Sequence, residues 1–190
     1  RMFMADAIKG ALSVTMAGGL ITSLYGQNSS VLPGNDVGER KFVPVMLTPY
    51  KEDLSIDYAA LSALTDFYLA SGAKGFFANC LSSEMYDLSD TERLSLVRHV
   101  VKQVNGRFPV VATGSFGNTV ESRADYTKKM FDTGVDGVIL ITSHFAAKDE
   151  DDAALLRNLE KYFALTGNIP LGTYECPSPY KRILTPEVLK

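Results

Sequence analysis

Several scarcities narrow this sequence before any motif is considered. Its two cysteines, Cys80 and Cys176, have none of the paired spacings that hold zinc or staple a small secreted fold, so they read as free thiols. Its two histidines, His99 and His144, stand far apart with no second ligand three or four residues away. No metal site is expected from them. Blocks of Lys or Arg are missing, and 19 basic against 22 acidic residues leave a net charge of −3. That surface offers no electrostatic foothold to nucleic acid or an anionic membrane, so the expected partner is a small molecule.

A bilayer-spanning run is also lacking. The apolar stretch Ala11 to Tyr25 is diluted by Gly, Ala and Ser and falls short of the ~20 residues a spanning helix needs. It suits the apolar part of an export signal, although no clear A-x-A cleavage site follows; the plainer reading is a leader helix lying on the domain. Location is accordingly cytoplasmic, or exported if residues 1–26 are a signal peptide. Gln27 to Arg40, rich in Ser, Gly, Asn and Pro, reads as a linker, which places residues 1–40 outside the folded domain and starts that domain at Lys41. The first residue is Arg1 and not Met, which fits a piece of a longer chain.

What is present is one ordinary globular composition, 46% hydrophobic and 22% charged, arranged in a repeating unit. Phe42 to Leu47 reads as a strand; Tyr58, Leu61, Leu64, Thr65, Tyr68 and Leu69 recur at helical spacing, and Gly72 stands at the helix end. A second strand, Gly75 to Asn79, precedes an S-x-x-E capping box at Ser89 and Glu92 that opens a helix to about Val104. Pro109 to Thr113, Asp136 to Thr142 and Ile169 to Tyr174 are the third, fourth and fifth strands. The third and fourth are followed by helices over about Thr119 to Asp132 and Asp151 to Leu165. Thr185-Pro186-Glu187 carries the N-cap and first-turn proline of a fifth helix.

The glycines that close these units, Gly72, Gly106, Gly134 and Gly167, fall 34, 28 and 33 residues apart, the spacing of strand-helix units. Runs such as VVAT and GVILIT lack polar alternation, which predicts strands buried on both faces of a parallel sheet. An open doubly wound sheet and an eight-fold barrel share that grammar. No G-x-G-x-x-G follows the first strand, which weakens the nucleotide-binding version. Gly114 to Asn118, GSFGN, is a strand-to-helix loop whose two glycines are only a weak anion-binding signal.

Four short motifs decide between them by resemblance. VMLTPY at 45–50, FFANCLSSEMYDLS at 76–89, PVVATGSFGNTVES at 109–122 and PLGTYECPSP at 170–179 resemble, in order and separation, the dihydrodipicolinate synthase and N-acetylneuraminate lyase family. The resemblance implies an α/β fold, the (β/α)8 TIM barrel, with the first four and a half or so units carried by residues 41–190. It also implies Schiff-base lyase or aldolase chemistry: a lysine on strand six condenses with pyruvate or a related 2-oxo acid, and a tyrosine on strand five moves protons. No cofactor is called for, and a homo-oligomer is expected. An eight-fold barrel takes about 250 residues, so this stretch is expected to belong to a longer chain, with the lysine beyond Lys190. Lys41 and Lys74 precede strands, the wrong end for catalysis in this fold.

Carried over residue by residue, the resemblance makes Tyr174 the proton-shuttling phenol, its bland alternative being an aromatic that covers the barrel mouth. The family loop G-[ST]-T-G-E reads Cys80-Leu81-Ser82-Ser83-Glu84 here. Ser82, with neighbouring backbone N–H groups, keeps the pyruvate carboxylate clamp; Leu81 replaces a relay hydroxyl; Ser83 belongs to the same binding loop; Glu84 ties the loop by hydrogen bonds. Where the synthases carry T-P-Y-Y this chain has Thr142-Ser143-His144-Phe145, so the hydroxyl lent by a neighbouring subunit is missing at Phe145. Pro179 stands where an arginine grips the second substrate, with Lys181 and Arg182 just beyond. These departures point away from dihydrodipicolinate synthesis and toward another second substrate. His144 is a replacement relay base or a solvated rim residue; Glu175 acts on a substrate hydroxyl or faces solvent. Cys80 and Cys176 fall after strands two and five, nearly across the barrel, so no disulfide is expected. The alternative to a lyase is a non-catalytic barrel of the same family that binds a small acid as a sensor or partner.

Overall fold

Strands and helices alternate through residues 41–189, the part of the chain that the computed structural model describes; the leader and linker expected over residues 1–40 lie outside it. Four α-helices appear, α1 (Tyr58–Ala70), α2 (Asp90–Val104), α3 (Val120–Phe131) and α4 (Asp152–Thr166). Each begins at a side chain that satisfies an N–H left over at the helix start. Asp57 accepts from Ala60 N–H, Ser89 from Glu92, Thr119 from Ser122 and Asp151 from Ala154. The box at Ser89 is reciprocal, with the Glu92 carboxylate returning to the Ser89 N–H at 2.8 Å. Ser89→Ala is therefore expected to cost about 1 kcal/mol, read as a fall of roughly 2–4 °C in the midpoint of a thermal melt. At the far ends Gly72 (φ +87°) and Gly167 (φ +63°) turn the chain through a region where a side chain would be strained.

The strands β1 (Phe76–Phe77), β2 (Val110–Thr113), β3 (Gly137–Ile141) and β4 (Leu171–Tyr174) form one parallel sheet in chain order. A right-handed crossover that always steps to the same side keeps every helix on one face. Chain order without reversal is the barrel arrangement; a doubly wound sheet reverses at a switch point.

Two expectations need correction. Phe42 to Leu47 is extended and runs parallel to β1, with Phe77 N–H on the Pro44 carbonyl and Met46 N–H on the Phe77 carbonyl, both 3.0 Å, yet it closes only one bridge, Val45 to Phe77. Pro44 has no N–H to give, so the ladder cannot continue toward Gly75. Nor are the strands buried on both faces. Phe76, Ala78, Val110, Ala112, Val138 and Leu140 are packed away, while Val45 is 50% exposed and Phe77, Val111 and Ile139, in register on the opposite face, are half-buried. Helices cover one apolar face; on the other, Thr113 and Ile141 are buried where the loops gather, while Val45, Phe77, Val111 and Ile139 keep partial exposure. At the end of the chain Thr185 caps a single turn over 186–189, accepting from Val188 and Leu189 N–H.

Candidate active site at the strand C-terminal ends

Loops leaving β1, β2, β3 and β4 gather at one end of the sheet, and register decides which side chains meet there. In parallel strands, paired residues point to the same face. Val45, Phe77, Val111 and Gly137 are so aligned, as are Ile139 with Gly172 and Ile141 with Tyr174. Tyr174, the last residue of β4, therefore stands on the inner face, its ring edge-on to Phe77 at 5.7 Å. Burial, the Cys176 thiol and then Cys80 push its hydroxyl up to about 12. Both cysteines are free and buried, and both act on the ionisation of Tyr174.

The loop after β1 folds as a 3-10 turn, Leu81–Ser83, entered at Cys80. Ser83 faces inward and is fully buried: its hydroxyl donates to the Met46 carbonyl at 2.7 Å and accepts from Cys80 N–H at 3.1 Å, while its carbonyl accepts from Thr48 Oγ1 at 2.7 Å. These bonds tie the loop to the extended segment before α1. Ser82 is half-buried, and among the described residues nothing hydrogen-bonds its hydroxyl. Leu81 packs on the core. Glu84 ends the turn at φ +55°, and its Oε2 is buried with no hydrogen-bond partner among the described residues. The expected tie through that carboxylate oxygen is not made; Ser83 makes it.

After β3 a second 3-10 turn, Thr142–His144, carries the histidine inward. His144 Nδ1 donates to the Ser115 carbonyl at 2.6 Å, and its Nε2 lies 3.3 Å from the Tyr86 hydroxyl. Burial, with Arg123 nearby, lowers its pKa; the bond to Ser115 opposes the shift. It is thus no freely solvated rim residue. Phe145 turns the other way, 1% exposed, edge-on to Tyr162 at 4.8 Å beneath α4.

After β4, Glu175 Oε1 accepts from Leu184 N–H at 2.9 Å and its other oxygen sits 4.0 Å from Lys181. The carboxylate braces its own loop. Arg182 pairs with Asp152 at 2.8 Å and with the Glu150 carbonyl at 2.6 Å, so it does not stand in for the arginine missing at Pro179. The GSFGN loop is likewise occupied: Ser115 Oγ accepts from Ile141 N–H at 2.9 Å, Gly117 gives its carbonyl to Arg123, and Phe116 lies 4.0 Å under the Arg93 guanidinium.

Tyr86 is the residue that reading the sequence passed over. It donates to the Ser178 carbonyl at 2.8 Å, meets His144, and is edge-on to Phe116 at 6.1 Å, so it links the loops after all four strands. Burial, then Cys176 and Tyr174, raise its pKa well above that of an ordinary phenol. The only signal was its place in the CLSSEMY run, where an aromatic two residues past Glu84 looks like loop filler. Among the described residues no three His, Cys, Asp or Glu side chains converge as a metal site, and no helix is long and apolar enough to cross a membrane.

Comparison with known proteins gives a consistent picture. Residues 39–188 match the Dihydrodipicolinate synthetase family. The 4-hydroxy-tetrahydrodipicolinate synthase of Oceanobacillus iheyensis is 31% identical over 137 residues, 72% of this chain and 45% of that protein. The enzyme of the same name from Bacillus subtilis is 30% identical over 142 residues, 75% and 48% of the two chains. A crystal structure of a dihydrodipicolinate synthase superposes with a TM-score of 0.63 at 29% identity, covering 72% of this chain and 46% of its own. A prophage protein of Escherichia coli K12 from the dihydrodipicolinic acid synthase family, solved with pyruvate, superposes at 0.67 and 24% identity over 79% and 49%, a likeness of fold. The chain spans about half the length of the curated relatives it matches.

Proposed function

The chain belongs to the dihydrodipicolinate synthetase family, and we propose that residues 41–190 are the N-terminal part of a barrel that acts as a Schiff-base lyase on pyruvate or a related 2-oxo acid. The observation that carries this reading is Tyr174, a phenol at the C-terminal end of β4 on the inner face, beside the Cys80–Glu84 loop. In this reading the 2-oxo acid's carboxylate rests on the Ser82 hydroxyl and the N–H groups beside it, and Leu81 closes the pocket wall. The amine is a lysine outside the described residues. Once the iminium has formed, it takes up the electrons of the bond being broken and becomes the enamine; in condensation the enamine carbon gives those electrons to the incoming carbonyl and the iminium returns. Tyr174 takes the proton from a substrate hydroxyl in cleavage and returns it in condensation.

Ser83 and Glu175 hold loops in this scheme and do not touch substrate. A second substrate unlike that of the synthases is supported by three departures from their motifs: no hydroxyl at Leu81, none at Phe145 and no cation at Pro179. A leader role for residues 1–40, read from their composition, and a homo-oligomeric assembly, by family likeness, are part of the same proposal.

The test uses the full-length protein with pyruvate and borohydride. A reduced adduct on one lysine, located by mass spectrometry, is the expected result. Pyruvate binding without an adduct would favour the non-catalytic, acid-binding barrel. Failure to bind any 2-oxo acid would sink the proposal.

A further inference from the structure

A cleft of about 320 Å³ opens where the starts of α3 and α4 meet the turn after β3, and the lyase scheme leaves it unused. Arg123 from α3, Ser143 and Phe145 from the turn, Glu150, Asn158 from α4 and Tyr180 line it. Phe145 packs under α4, on the helix side of the sheet, whereas Tyr174 is in register with Ile141 on the inner face. The cleft therefore belongs to the helix side of the turn and the phenol to the inner side.

We propose that this cleft is a second ligand site, separate from the 2-oxo acid pocket, that holds a small oxyanion, a carboxylate or a phosphate, on the Arg123 guanidinium with the Ser143 hydroxyl as a further donor. The Arg123 Nε–H donates to the Gly117 carbonyl at 3.0 Å, and the guanidinium lies 5.7 Å from the centre of the Phe145 ring. Those contacts fix the group in place and use only one of its five N–H donors. Among the described residues its two terminal nitrogens have no partner and no carboxylate pairs with its charge. Burial lowers the Arg123 pKa, and no neighbouring carboxylate opposes that shift. A half-buried guanidinium that has given up water without gaining a counter-charge is destabilising until an anion supplies one.

Ser143 is an independent sign. It is 7% exposed, and its Oγ has no hydrogen-bond partner among the described residues. The remaining polar groups of the cleft hold its walls: Asn158 donates to the Phe145 carbonyl at 2.7 Å, and the Tyr180 hydroxyl donates to the Ser143 and Ala146 carbonyls. Glu150, the acid among the lining residues, accepts from the Ala147 N–H at 2.6 Å and so closes its own turn. A solvated arginine resting on an aromatic ring would explain the contact with Phe145 but not a buried serine left unpartnered in the same cleft. The planar fork of a guanidinium matches two oxygens of a carboxylate or phosphate, which sets the class of ligand.

Inorganic phosphate and malonate are the probes, titrated separately at constant ionic strength into the full-length protein whose 2-oxo acid pocket has been blocked with pyruvate and borohydride. Calorimetry reads the affinity, and heteronuclear NMR of the Arg123 Nε–H reads the place. Saturable binding of at least one probe, with that resonance shifted, is the expected result; which probe binds tells a carboxylate site from a phosphate site. Arg123→Gln should weaken binding about 10- to 100-fold. Arg123→Lys, which keeps the charge and loses the fork, should weaken it less, and Ser143→Ala should weaken it several-fold. Because Arg123 also holds Gly117, each variant's melting midpoint is measured without ligand, and Glu150→Gln, which leaves Arg123 untouched, should tighten binding by removing a negative charge from the cleft. Equal affinity in the wild type and Arg123→Gln would mean an adventitious ion only and would overturn the site, as would no binding of either probe. Binding gained only in Glu150→Gln would make Glu150 the partner of Arg123 and overturn it too. Absence of a pyruvate adduct bears on the lyase reading alone, and the same titration is then run on untreated protein.

Discussion

Replacing Tyr174 with Phe will slow both carbon–carbon bond turnover and pyruvate C3 exchange by about 10²- to 10⁴-fold, while a borohydride-trapped pyruvate adduct still forms. The ring keeps its edge-on contact with Phe77 and its place in the apolar cluster, so the fold is spared and only one hydroxyl is lost. That hydroxyl is the one proton-carrying group that β4 places on the inner face, beside the loop proposed to hold the carboxylate.

Titration adds a second, independent reading of the same residue. Burial and the two thiols raise the Tyr174 pKa from about 10 toward about 12, so the folded state holds this proton more tightly than the unfolded chain does. The linked stabilisation is complete below the unfolded value near 10 and is lost as pH rises through the folded value. Tyr174→Phe should flatten that part of an alkaline stability profile, measured by chemical denaturation across pH. A variant that lost turnover and left the alkaline profile as steep as in the wild type would place the perturbed phenol somewhere other than residue 174.

Replacing Phe145 with Ala will destabilise the protein by about 3–5 kcal/mol, lowering its melting midpoint by roughly 10 °C. Phe145 is 1% exposed, meets Tyr162 edge-on at 4.8 Å, and packs in a cluster with Leu140, Leu155 and Leu159 that seats α4 on β3. The Arg123 guanidinium lies 5.7 Å above its ring and its carbonyl accepts from Asn158 at 2.7 Å, so little can collapse into the space left behind. An unchanged melting midpoint in Phe145→Ala would mean that this ring does not anchor the turn. Phe145→Tyr tests the same geometry differently. The family's relay hydroxyl would be restored in name only, because at this buried position the added oxygen must find a partner or destabilise the core, and no gain in exchange is expected.

The division of labour between sequence and fold can be seen in particular residues. Ser89 with Glu92, Thr119 and Asp151 announced helix starts because capping is a local contest for the first N–H groups, settled within four residues. The closing glycines and apolar runs likewise marked where helices end and strands lie, and the motif at 170–179 singled out Tyr174. Pro44 shows where local reading stops short: an apolar run predicted a full strand, but the missing N–H matters only once β1 lies beside it.

The sequence by itself determined the alternation of strands and helices, the family and the candidate phenol, because each rests on neighbours in the chain or on motifs of a few residues. Only the tertiary structure decided what the loops do with their side chains. It turned the Ser83 hydroxyl into a tie to Met46 and Glu175 into a brace for Leu184, and it sent Phe145 under α4. It also brought Tyr86 to His144 across 58 residues of sequence. The physical reason is parallel register: pairing Ile141 with Tyr174 and Val111 with both Phe77 and Gly137 aligns the strand ends, and separations of that size leave no trace in local pattern.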